Sequence, residues 1–291
     1  MAELGRVGAW LGSISLWPSA DEIAAVREIE RLGYGAVWIG ENDLNREIFA
    51  HAATLLGSTE RIVVATGVAG IWSRDPSASA NGAATLAEAF PGRFVLTLGV
   101  SHASIVNRRG HVYEKPLAAM REHLEGMAAT RYVAPAPTEP ATLLLAALAP
   151  GMMRLAAERT DGAHPYLVTP AHTEWARAAL GPGKTLAPEQ GVVLLDDPAA
   201  ARKAARQHLE IYLPWENYSN CWRRLGFDDA DLADGGSDRL VDSLVAWGDE
   251  AAVAARVQAH LDAGATHVPV QALGADPLGQ LERLAPVLTA L

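Results

Sequence analysis

The chain has 291 residues, 49% of them hydrophobic and 20% charged, with no repetitive tract, which is the profile of a folded globular protein and excludes general disorder. A net charge of -10 without any lysine and arginine cluster repels phosphate backbones and excludes nucleic acid as a general partner. The single cysteine, Cys221, leaves no internal disulfide, and no basic, apolar, small-residue leader or spanning segment is legible, so a reducing cytoplasm is expected and no membrane partner.

Strand and helix patterns alternate along the chain. RVGAWLG reads as a first strand, and SADEIAAVREIERLG then predicts a helix with Ser19 as N-cap, Glu22 completing a capping box and Gly33 as its stop. The same grammar returns in AVWIGE before a helix from Glu47 to Leu56, in RIVVATGV before Ser77 to Ala89, and in RFVLTLGV before Leu117 to Thr130. Beyond the proline-rich joint APAPTEP, TLLLAAL leads to GMMRLAAERT, DGAHPYLV to AHTEWARAAL, EQGVVLLD to Pro198 through Tyr212, and THVPVQAL to Leu278 through Leu291. Near-continuous apolar strands separated by helices imply a parallel sheet covered on both faces, and eight such units close a barrel. The expected fold is therefore α/β, a (β/α)8 TIM barrel in one domain over residues 1–291, with a doubly wound open sheet as the competing arrangement. Residues 213–246 are too long for a plain joint and read as a helical insertion before the last βα unit.

In a barrel, chemistry gathers where the strands end. Those ends offer Glu41, Asn42 and Asp43; Gly67 to Arg74; Ser101 and His102; Leu148 to Gly151; His164 to Tyr166; and Gln271. No metal-ligand spacing occurs, and the serine-hydrolase, P-loop and dinucleotide-binding signatures are all missing. His102 reads either as a proton donor or ligand contact near neutral pH, or as a cap for the next helix. Glu41 and Asp43 either position a polar ligand group or cap the helix that follows. His164 reads as a core or rim histidine beside a ligand-binding alternative. Of Trp10, Trp38 and Trp72, only Trp72 lies beyond a strand end, where an indole can wall a flat ligand.

The combination of ERLGYGAVWIGE, ATGVAGIWSRDP, EAFPGRFVLTLGVSHASIV, YEKPLAAMREHLEGM, AERTDGAHPYLVTP and HLDAGATHVPVQAL resembles the bacterial-luciferase-like superfamily, and within it the coenzyme F420-dependent oxidoreductases. The resemblance runs from the first strand to the last helix. It implies a TIM barrel with an insertion, usually a homodimer, that binds F420 or FMN at its mouth. It also implies a non-proline cis peptide at Gly67-Val68, pressed against the flavin. Glu41 and Asn42 match a polar pair facing ring and substrate, and Gly99, Ser101 and His102 match the segment along the ring's edge. Leu148, Ala149 and Gly151 match the loop whose amides hold the cofactor phosphate, and His164, Pro165 and Tyr166 match the adjoining loop. Relatives carry consecutive glycines where this chain has Leu148-Ala149, whose bulk narrows the phosphate site.

The implied activity is hydride transfer between F420 and a small organic substrate, with His102 as proton donor or acceptor and Glu41 second. Trp72 and Arg74 would line the substrate mouth, with Arg74 either holding the cofactor's acidic tail or capping the loop. An FMN-dependent monooxygenase and a non-catalytic flavin-binding barrel are the alternatives.

Overall fold

The computed structural model describes residues 2–291, and every strand pairing in it is parallel. The strands in chain order are β1 (Val7–Trp10), β2 (Ala36–Ile39), β3 (Val63–Thr66), β4 (Ala69–Gly70), β5 (Phe94–Gly99), β6 (Thr142–Ala146), β7 (Gly162–His164), β8 (Thr185–Leu186), β9 (Gln190–Val193), β10 (Val245–Trp247) and β11 (Val268–Ala272). They form one eleven-stranded sheet in the order β10-β9-β11-β1-β2-β3-β5-β6-β7-β8, with β4 added on β5. Because neighbours follow chain order from β1 to β8, the reversal that defines a doubly wound sheet is not seen.

The sheet is curled. The chain from β8 to β9 hydrogen-bonds to β7 on one side, through Ala187 N–H to the Ala163 carbonyl at 3.0 Å, and to the start of β11 on the other, through Thr266 N–H to the Leu186 carbonyl at 2.9 Å. Rings from distant strands meet inside the curl: Trp38 on β2 stacks on His164 of β7 at 4.4 Å and on Trp10 of β1 at 6.3 Å. Strands β1, β2, β3 and β5 are buried at every position, as the apolar runs of a sheet covered on both faces require.

Helices α1 (Ser19–Arg31), α2 (Ile48–Ser58), α3 (Pro76–Ala89), α4 (Ala103–Arg108), α5 (Pro116–Ala129), α6 (Pro150–Arg159), α7 (Pro170–Leu180) and α8 (Pro198–Leu209) follow or separate the strands. Residues 213–246 hold α9 (Glu216–Arg224), α10 (Asp229–Leu232) and α11 (Asp238–Leu244), and α12 (Glu250–Asp262) and α13 (Pro277–Leu288) complete the chain.

Two expectations are corrected. Helix α1 starts at Ser19 with Pro18 as its N-cap, and Glu22 makes no capping box. Instead the buried Glu22 carboxylate meets His51 Nε2 at 2.7 Å and Arg46 at 2.9 Å, because a charge with no water must be paired. Helix α8 stops at Leu209, and the residues up to Trp215 turn back toward the strand ends.

Candidate active site at the strand ends

All strands point the same way, so Trp10, Gly67, Gly99, His164 and Ala272 stand along one edge of the sheet. The β3 end departs from regular structure there: the Gly67-Val68 peptide bond is cis. Both glycines are close-packed. A Cβ on Gly67 would come within 2.2 Å of the Trp10 ring, and one on Gly99 within 2.2 Å of Val68 Cγ2.

Glu41 lies against the outer side of this bulge. Its Oε2 accepts from the Gly70 N–H at 2.7 Å and from Arg74 at 3.1 Å, and its Oε1 accepts from Arg74 as well. Arg74 also reaches Glu47 at 3.0 Å, and its side chain is only 8% exposed. The carboxylate is thus fully engaged in bracing the bulge, and Arg74 braces it from the other side. Neither Glu41 nor Asp43 caps α2, since Glu47 does so through the Ala50 N–H. Asp43 instead forms a forked ion pair with Arg108, which holds its carboxyl below the usual carboxylate range. Asn42 accepts from the Leu44 N–H through Oδ1 at 2.8 Å, inside the same loop. A cleft of about 420 Å³ opens beside these residues, bounded by Glu41, Asn42, Arg46, Arg74 and Arg109 and by the α2 and α3 side chains Phe49 and Ala78. Trp72 is half-buried and donates its indole N–H to the Val100 carbonyl at 2.9 Å, tying the bulge to the end of β5.

Ser101 follows β5 with a positive φ of 57, which turns His102 toward the open edge of the sheet. His102 occupies the N-cap position of α4, but its ring makes no capping bond. The ring stacks on Trp215 with centroids 3.8 Å apart and planes 17° from parallel, and Tyr218 lies at 5.7 Å. Burial under these rings lowers the His102 pKa to about 4 against a raising hydrogen bond from Asn217, so the imidazole is neutral at pH 7.

His164 lies fully inside the curl. Its Nδ1 contacts the Ala187 carbonyl at 2.6 Å, its Nε2 has no protein partner, and desolvation lowers its pKa to about 3. Tyr166 follows Pro165 and turns toward β11: its hydroxyl donates to Gln271 at 2.7 Å and meets the Tyr212 hydroxyl and His208 Nε2, each at 3.1 Å.

The start of α6 is bare. Ala149 is its N-cap without a side-chain bond, and Pro150 follows. The Leu148 carbonyl accepts from Arg224 of α9 at 3.0 Å, so a guanidinium stands beside the open helix end. A Cβ on Gly151 would approach Leu117 at 3.0 Å.

Sequence reasoning missed Tyr212, Trp215 and Tyr218, which form a packed aromatic strap across the strand ends, Tyr212 lying 5.3 Å from Trp215 and 5.1 Å from Tyr218. Their spacing of three and three, continued four residues on by Trp222, was the available signal. It also missed Arg224 and the buried Glu189. Among the described residues no cluster of His, Cys, Asp and Glu could hold a metal ion, and no helix is long and apolar enough to cross a membrane.

Against known proteins, the chain is 25% identical to a Mycobacterium tuberculosis protein provisionally named a coenzyme F420-dependent oxidoreductase, over 96% of this chain and 98% of the relative. Its fold superposes with a TM-score of 0.79 on the coenzyme F420-dependent tetrahydromethanopterin reductase of Methanopyrus kandleri, at 17% identity and covering 99% of each chain. It superposes at 0.67 on the FMN complex of a type II Baeyer–Villiger monooxygenase from Pseudomonas putida, at 17% identity over 98% of each chain. The model of the luciferase-like monooxygenase family matches residues 3–267, and the chain belongs to that family.

Proposed function

We propose that this chain is an oxidoreductase that passes a hydride between coenzyme F420 and a small organic substrate at the strand ends. The observation that carries the reading is the aromatic strap packed across the strand ends together with a bare α6 N-terminus beside Arg224. Open amides at a helix start together with a guanidinium suit a phosphate, and aromatic walls suit a flat ring. The donor set therefore fits a phosphorylated flavin or deazaflavin. The Gly151 amide and Arg224 would hold the phosphate, with Leu148, Ala149 and Pro165 as walls. Gly67, Val68, Gly99, Ser101, His164 and Tyr166 would border the ring, and Asn42 the outer rim. When bound, the deazaflavin supplies two-electron hydride chemistry.

The chain's own residues supply position and one proton transfer. His102 is neutral at pH 7, so its free ring nitrogen accepts the hydroxyl proton when an alcohol is oxidised and returns it in the reverse direction. Glu41 acts through the bulge: its bonds to Gly70 and Arg74 hold Val68 and Trp72 where a ring would rest, which makes it a positioning residue. The strap closes the site from water.

The curled sheet is read as a (β/α)8 barrel in one domain, with the helices of 213–246 inserted between α8 and β10, so that the β10–α12 unit, and not the last βα unit, follows them. It works as a homodimer, as the family resemblance implies. FMN-dependent monooxygenation is the second reading, favoured by the family's description and by the FMN-bound structural neighbour.

Purified protein mixed with reduced F420 or reduced FMN, with and without oxygen, separates the two. A spectral shift and turnover with F420 independent of oxygen is expected. Binding of neither cofactor defeats both readings, and binding with a His102→Ala variant unchanged across aldehydes, ketones and enones would leave a non-catalytic flavin-binding barrel.

A further inference from the structure

The tryptophans around the strand ends and the strap are not held alike. Trp38, Trp72, Trp222 and Trp247 each donate the indole N–H, to His267, Val100, Leu167 and Asp242 respectively. Trp215, like Trp10, is placed by ring contacts. It precedes α9 in the N-cap position, is half-buried, and its indole is placed by ring contacts: His102 at 3.8 Å, Tyr212 at 5.3 Å and Tyr218 at 6.2 Å. Stacking of this kind adds only modestly to area burial, so another flat ring of similar size can compete with it.

The indole lies on one face of the His102 imidazole and leaves its in-plane nitrogens, the atoms that move a proton, at the edge of the stack. A reacting group has to come within hydrogen-bond reach of His102, and Trp215 lies across one face of that ring. Two of the rim's guanidiniums are spent on carboxylates, Arg74 on Glu41 and Glu47 and Arg108 on Asp43. Beside His102 stand Asn217, which hydrogen-bonds it, and aromatic rings: Trp215, Tyr218 and, behind them, Tyr212 and Tyr166.

We propose that Trp215 occupies the substrate's seat, and that the substrate is a planar, uncharged conjugated molecule that displaces the indole and stacks on His102. The size and flatness of the indole then set the substrate class, and Trp215 is the residue that determines specificity. The inference rests on the oxidoreductase reading only in calling the occupant a substrate. Burial under the strap also keeps His102 neutral, so displacement by a second flat ring preserves its protonation state while simple removal of the indole does not.

The test uses the whole chain with labelled histidine and two probes of the same outline, naphthalene-2-carboxamide and its fully saturated counterpart. The planar probe is expected to shift the His102 ring resonances and to bind at least tenfold more tightly than the saturated one. In Trp215→Ala, His102 should titrate nearer its ordinary value and the planar probe should bind severalfold more tightly, because it no longer competes with the indole. Trp215→Leu, which keeps apolar bulk and loses the stack, should move both readouts the same way. Equal affinity for the two probes, or unchanged His102 titration and probe affinity in both variants, overturns the proposal. F420 binding is followed separately by absorbance: its loss with the probe results intact sinks the oxidoreductase reading alone, and the opposite pattern sinks the seat alone.

Discussion

At the scale of single residues, Glu189 shows how burial can outweigh charge. It lies between β8 and β9 with its Oε2 accepting the Leu167 N–H at 3.2 Å, while its Oε1 has no protein partner. No cation faces it, and desolvation raises its pKa from 4.5 to about 8, so the folded chain keeps the proton at neutral pH. The sign of the pH dependence follows. Between 4.5 and 8 the folded state holds a proton that the unfolded state has released, so stability falls as pH rises, by about 1.4 kcal/mol per unit. Glu189→Gln keeps the shape of the protonated acid without the titration. Urea unfolding should show the variant gaining on the parent between pH 5 and pH 8, and an equal difference at both pH values would refute a neutral buried acid. Nothing in the sequence marked this residue, because a glutamate entering an apolar strand carries no local sign of whether its partner will be a cation or none.

At the scale of elements, the one N-cap read from the sequence, Ser19, was overturned, yet four other helix starts carry a readable sign that was not used. Asp75-Pro76, Thr169-Pro170, Asp197-Pro198 and Asp276-Pro277 each place a capping side chain before a first-turn proline, and in all four the side chain accepts the expected amide. Asp75→Ala should therefore destabilise by about 1 kcal/mol, read as a lower melting temperature, since the Ala78 amide it holds at 2.8 Å would lose its partner. An unchanged melting temperature would mean that water replaces the cap without loss. Against that pattern Ala149-Pro150 stands out: the proline is present and the capping side chain is not, which leaves α6 open where a phosphate is proposed to sit. The apolar runs of the strands were equally legible, since burial on both faces leaves little choice of residue. The strap was not. Tyr212, Trp215 and Tyr218 acquire their role from contacts with His102 and Tyr166, 46 to 116 positions away along the chain, and no local pattern encodes which surface an aromatic turn will meet. The same distance hides Glu41: its partner Arg74 is 33 residues on, so a candidate acid and a candidate ligand-binding base turned out to neutralise each other.

At the scale of the whole molecule, strands and covering helices are joined by buried neutral histidines. His267 links the first and last strands and β2, with Nδ1 at 2.9 Å from the Gly5 carbonyl and Nε2 at 3.0 Å from the Trp38 indole nitrogen. His260 joins α12 to Thr173 at 2.8 Å and to Gln190 at 3.0 Å, His172 joins α7 to the Leu148 carbonyl at 3.3 Å, and His164 joins β7 to Ala187. Burial lowers all four, to about 3 for His164 and His260 and about 4 for His172 and His267. Here the sign opposes that of Glu189. Below 6.5 an unfolded histidine takes up a proton that the folded one refuses, so stability is whole above 6.5 and is lost as pH falls toward 4, each group adding about 1.4 kcal/mol per unit. Acting over the same window with His102, His123 and His208, which burial also lowers to about 4, these seven groups should produce a steep acid transition, since a domain's whole stability is about 5–15 kcal/mol. Thermal unfolding followed from pH 7 to pH 4.5 should show the melting temperature dropping sharply below pH 6. Replacing His260 by Gln, which can still bond Thr173 and Gln190 without titrating, should flatten that drop by about one seventh of its slope, and an unaltered profile would show that the acid transition arises elsewhere.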